Sequence, residues 1–114
     1  MASGVTATVY DAGRSRRTEL AAREACLRAV VIDAAENSAH MLVLEQDDSL
    51  LWWDQQRLIE ITREVGCRAT LRYEYRRARE ELLLSIPDAI AWCWARGGIW
   101  RQRVEPVVIK RQNV

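Results

Sequence analysis

Carboxylates and arginines gather where the apolar runs of this chain stop. Glu45 closes the run Met41-Leu42-Val43-Leu44 and is followed at once by Asp47 and Asp48. Arg76, Arg77 and Arg79 follow a second, alternating run and lead into Glu80 and Glu81, while Asp88 comes just after Ser85-Ile86-Pro87. Carboxylates brought together cannot all stay charged without a cation, and oxygen-only ligation suits Mg²⁺ or Mn²⁺. Two such ions would support in-line hydrolysis of a phosphodiester. On this pattern Glu45 and Asp88 are the expected catalytic, metal-binding pair, with Asp47 and Glu81 as further ligands. Arg76, Arg77 and Arg79 are the expected phosphate contacts.

Each of these residues also has an ordinary use. Asp88 in a first helical turn partners the helix dipole. Asp47 and Asp48 read as a loop-and-cap pair. Glu80 and Glu81 can pair with the arginines beside them. Glu45 differs, because a carboxylate ending a buried strand would need a partner.

The elements that must position these groups follow from spacing. Val5 to Tyr10 alternates with β-branched residues and stops at Asp11-Ala12-Gly13, which predicts a strand and a turn. Thr18 can cap a helix ending near Asn37-Ser38, with Leu20, Leu27, Val30, Val31 and Ala34 on one stripe. Arg23, Glu24 and Arg28 are expected largely elsewhere on it. The run Met41 to Glu45 predicts a strand covered on both faces, hence a parallel sheet.

Asp48 or Ser49 can cap the next helix, which turns Leu51, Leu58, Ile61 and Val65 inward and stops at Gly66. Trp52 and Trp53 are about 100° apart on it, so one core cannot bury both deeply. Ala69 to Tyr75 predicts a third strand, with Leu71, Tyr73 and Tyr75 on one face. Ser85 is the expected cap of a last helix ending at Gly97-Gly98, and Val104 to Ile109 reads as extended. The order β-α-β-α-β-α gives an α/β fold, a small and largely parallel sheet layered between flanking helices.

Composition sets outer limits. The 114 residues make one domain with one core. The net charge of +1 predicts no partner, but its distribution is uneven. From Asp33 to Glu60 seven carboxylates meet only Arg57; from Arg63 to Arg79 six arginines meet only Glu64 and Glu74. That pattern is compatible with a metal site beside a phosphate-binding surface, or with solvated helix faces. Trp92, Trp94 and Trp100 among Arg96, Arg101 and Arg103 could stack bases and hold phosphates, or fill a core that has no Phe. Three cysteines without metal-ligand spacing, and no signal-peptide pattern, predict a reducing cytoplasm. No apolar run approaches the roughly 20 residues that span a membrane.

Leu42-Val43-Leu44-Glu45, Asp54, Arg79 to Leu83 and Ile86-Pro87-Asp88-Ala89-Ile90-Ala91-Trp92 resemble the C-terminal part of an uncharacterised actinobacterial protein family with a ribonuclease H-like core. Gly97 to Arg101 and Arg103 to Pro106 extend the likeness. The resemblance implies a truncated ribonuclease H-like fold, with Glu45 and Asp88 taking the places of two of the family's carboxylates. It also implies that a first strand bearing an Asp-Glu-Ser-like motif, and the strand after it, have no counterpart here. A sheet without them would be open in its middle. The expectation is a domain of a Mg²⁺-dependent nuclease or nucleic-acid-processing system, incomplete alone, its sheet completed by a homo-oligomer or a second polypeptide. The alternative is a non-catalytic protein-interaction module, as in a toxin–antitoxin-type pair.

Overall fold

Thr18 starts the first helix as its spacing requires: its Oγ1 accepts from the amide of Ala21 at 3.1 Å. The computed structural model describes residues 7–13, 18–77 and 84–114, with the side chains of Ser85 and Asp88 outside the description. The order is β1 (Ala7–Asp11), α1 (Glu19–Glu36), β2 (Met41–Glu45), α2 (Leu51–Val65), β3 (Arg72–Arg76), α3 (Ser85–Arg96), α4 (Gly98–Val104), a 3-10 turn (Glu105–Val107) and β4 (Val108–Asn113). The chain is a small α/β protein with parallel strand pairs. Among the described residues no helix is long and apolar enough to cross a membrane.

The core lies between α1, α2 and β3. Leu27, Val31, Leu58, Ile61, Cys67 and Leu71 form its buried centre, and Leu42, Leu44, Trp53, Tyr73 and Tyr75 pack around it. Trp53 thus joins the core while its neighbour Trp52 stays exposed. Gly66 ends α2 at φ 81°, a left-handed conformation that costs other residues a steric penalty.

Several elements depart from expectation. The strands do not form one sheet. β1 pairs in parallel with β4, β2 pairs in parallel with β3, and no ladder joins the two pairs among the described residues. β2 is only half-buried, with Met41 and Glu45 exposed at its ends, so it is not sealed on both faces. Leu42 and Leu44 are partly buried against the core.

No side chain caps α2. Leu50 occupies the cap position, and Asp47 instead folds back on Ser49 within the preceding turn. α3 begins one residue early, with Leu84 rather than Ser85 at its cap. The segment from Val104 to Val107 is helical, because Gly97 and Gly98, at φ 73° and 55°, turn the chain and let a new helix start. Pro106 lies in the 3-10 turn, where it interrupts no ladder, and only Val108 to Asn113 is extended. Val5 and Thr6 lie outside the described residues.

Candidate functional site

Charged groups converge on the floor made by α1. Arg23 of α1 donates to Asp54 of α2 through two hydrogen bonds, Nε to Oδ1 at 2.7 Å and Nη2 to Oδ2 at 2.6 Å. Asp54 is 1% exposed. This fork-to-carboxylate pairing supplies the partner that a buried carboxylate needs. The hydrogen bonds to Asp54 hold the Arg23 guanidinium above its ordinary pKa, against desolvation acting the other way. Tyr75 lies beside the pair; its hydroxyl is buried without a hydrogen-bond partner among the described residues, and burial pushes its pKa up.

Beyond the carboxyl end of β2 a cleft of about 710 Å³ opens over α1, lined by Arg23, Cys26, Leu27, Val30 and the segment Leu44 to Asp48. On the other side of Cys26 a second cleft of about 470 Å³ opens beyond β1, lined by Tyr10, Asp11, Ala12, Gly13 and Cys26, with Ala91, Trp94, Ala95 and Arg101. Cys26 is common to both, so the two strand pairs end on either side of one helical floor.

β1 is held to that floor by side chains. The Tyr10 hydroxyl donates to Asp33 Oδ2 at 2.5 Å, and Lys110 of β4 lies 3.7 Å from the same oxygen. Desolvation, reinforced by that hydrogen bond to Asp33, raises the pKa of Tyr10. Asp11 accepts from the Gly13 amide at 2.8 Å and from Arg111 Nη2 at 2.9 Å. The Gly13 bond is the main reason its pKa lies below the usual carboxylate value.

The predicted site residues are partly brought together. Glu45 and Arg76 are register partners at the ends of β2 and β3, and the ladder runs on to Gln46, whose amide donates to Arg76 O at 2.9 Å. Glu45 lines the cleft with Asp47, yet it is exposed, so desolvation does not force a partner on it. The Asp47 carboxylate accepts from the Ser49 hydroxyl at 2.7 Å and the Ser49 amide at 3.0 Å, and both bonds lower its pKa. Its ordinary use as a turn acceptor is therefore realised.

Arg77 grips Asp48 with two hydrogen bonds of 3.0 and 2.9 Å, and Arg76 Nε donates to Glu74 at 3.0 Å. These two expected phosphate contacts are engaged in ion pairs. Arg79 and Glu81 lie outside the described residues. Asp88 lies in the first turn of α3, and its side chain lies outside the description. Among the described residues no group of three or more His, Cys, Asp or Glu could hold a metal ion. Glu45 and Asp47 are the two predicted ligands that line the cleft together.

Comparison with family models, with curated proteins and with solved structures finds no match.

Reading by residue type alone missed Arg23. Its signal was present: Arg23 falls between Leu20 and Leu27 at helical spacing, as Asp54 falls between Leu51 and Leu58. A charge at a core position on each of two helices is the pattern of a buried ion pair.

Proposed function

We propose that this chain is a partner-completed α/β interaction module, which takes up an extended segment of a second polypeptide across the α1 floor between its two strand pairs. The observation that carries this reading is the separation of the pairs. Among the described residues each strand forms a ladder with one other strand, although both pairs end on clefts that share Cys26. Parallel strands are normally found inside larger, covered sheets, and two strands alone are marginal. An added strand would satisfy open backbone groups and cover the half-buried apolar residues of β2 in one step.

Residue-resolved hydrogen exchange combined with light scattering tests this. In a strand with one neighbour, alternate amides point to the partner and the rest point outward. The isolated chain is expected to be a monomer with alternating protection along β1 and β2. A monomer whose strand amides are all as protected as α2 would sink the proposal. A dimer with both edges protected would identify the second strand as another copy of this chain.

A nuclease reading is favoured by one observation of its own, the shared presence of Glu45 and Asp47 in the cleft beyond β2. The β2-α2-β3 unit, a parallel pair with a helical crossover, supports the ribonuclease H-like label within it. In this reading the completed sheet would supply the remaining ligands for Mg²⁺ or Mn²⁺, with Asp88 among them, and nucleic acid would be the substrate. Ligand binding to the folded state raises the melting temperature, so metal titration separates the readings. For the chain alone we expect no shift with millimolar Mn²⁺. A rise that Glu45→Ala abolishes would put the nuclease reading first.

A further inference from the structure

The α3–α4 hairpin carries chemistry that neither strand pair uses. Among the described side chains of α3 none is fully buried. Trp92 and Trp100 stay 54% and 39% exposed, although a chain with no Phe has every reason to bury them. Their rings meet edge to face, 5.4 Å between centroids and 73° between planes. The Arg96 guanidinium lies 5.8 Å from the centre of Trp92, and that of Arg103 lies 5.3 Å from the centre of Trp100.

Trp94, on the same helix, shows what a purely structural stack looks like. It is half-buried, and the arginines over its ring are Arg101 and Arg111, at 4.7 and 5.9 Å. Both are committed elsewhere as well: Arg101 donates to the Trp94 carbonyl at 2.8 Å, and Arg111 pairs with Asp11 at 2.9 Å. Among the described residues Arg96 and Arg103 have no such commitment. Neither has a carboxylate within ion-pair distance among the described residues. The arginines over Trp94 are held within the fold, and the indole–arginine sets of Trp92 and Trp100 are turned to solvent.

From this contrast we infer that Trp92 and Trp100, with Arg96 and Arg103, form a binding surface for single-stranded nucleic acid. The inference stands apart from the sheet-completion reading and uses none of its residues. In the edge-to-face pair the edge of one ring lies on a face of the other, so the ring that gives its edge keeps a face for a base, while the N–H groups of Arg96 and Arg103 remain to meet phosphate. One open ring face between two cations matches a base flanked by its phosphates. An acidic peptide would match the charges and leave the flat faces unused. Duplex DNA hides its base faces in the stack and offers no better fit.

The test is titration of the full chain with a fluorescent oligothymidine and, separately, with oligoglutamate, read by anisotropy and tryptophan quenching over a salt series. The oligothymidine is expected to bind and quench, with log K falling against log salt at a slope of about −1.4 for two phosphate contacts on a single strand. Trp92→Ala and Trp100→Ala are each expected to weaken binding by roughly tenfold, because one removes the ring that stacks the base and the other the ring that fixes its platform. Arg96→Glu with Arg103→Glu, a fully surface change, is expected to abolish the salt-sensitive part while leaving the circular dichroism spectrum unchanged. Oligoglutamate binding more tightly than oligothymidine would overturn the inference in favour of an acidic protein partner. Oligothymidine binding that ignores all four substitutions, or no binding at low salt, would overturn it outright.

Discussion

Arg23→Ala is expected to destabilise the protein by about 3 kcal/mol, the lower end of the range for removing one member of a buried ion pair. The lower end applies because the Arg23 side chain is 35% exposed, so water can reach part of the space it vacates. Most of the cost falls on Asp54, which stays buried in α2 without its two donors. The pair also joins α1 to α2 beside the cleft, so its loss loosens the floor on which both strand pairs end. Replacing both members with apolar residues, Arg23→Met with Asp54→Leu, is expected to restore stability to within about 1 kcal/mol of wild type, because no charge is then stranded. Denaturant melts of the single and double variants check this. A cost below about 1 kcal/mol for Arg23→Ala would mean that Asp54 finds water or another donor unaided.

Leu58→Ala is expected to cost about 2–5 kcal/mol, the usual range for a buried leucine, with the upper half favoured by its setting. Leu58 is 0% exposed and sits among Val31, Ile61 and Leu71, in a buried centre of six apolar residues. So few residues leave little to collapse into the cavity. Against a typical total of about 5–15 kcal/mol, such a loss populates the unfolded state measurably. The urea midpoint should fall with the slope unchanged; a change in slope instead would indicate an altered unfolded state.

Local signals were legible in the sequence, and long-range ones were not. Thr18 marked the start of α1, the apolar run marked β2 from Met41 to Glu45, and Gly66 marked the end of α2. Each of these depends on residues a few places apart. α4 was hidden because Gly97-Gly98 read as a stop, whereas two positive φ values reverse the chain and free it to start again. Strand partnership was illegible for a different reason. Nothing near Ala7 or Val108 states that they pair, because that ladder is decided by how α1 and the α3–α4 hairpin dispose the two ends of the described fold. The site was half legible: the clustering of Glu45, Asp47 and Asp48 was readable, but the hydrogen-bond partners Ser49 of Asp47 and Arg77 of Asp48 were not.

The two ladders also differ in how far apart along the chain their members lie. Met41 meets Arg72 within one β-α-β unit, whereas Ala7 meets Val108 across almost the whole described chain. Closing a loop of roughly 100 residues rather than roughly 30 costs about 1 kcal/mol more in chain entropy. Most of that difference must be met before the β1–β4 contacts give anything back. The unit from α1 to β3, which holds the core, can therefore assemble first, and the β1–β4 clasp closes on it afterwards. By the same entropy it is the part that opens first. Trp92 and Trp100 thus sit in the half of the described fold whose ladder is the more costly of the two to close.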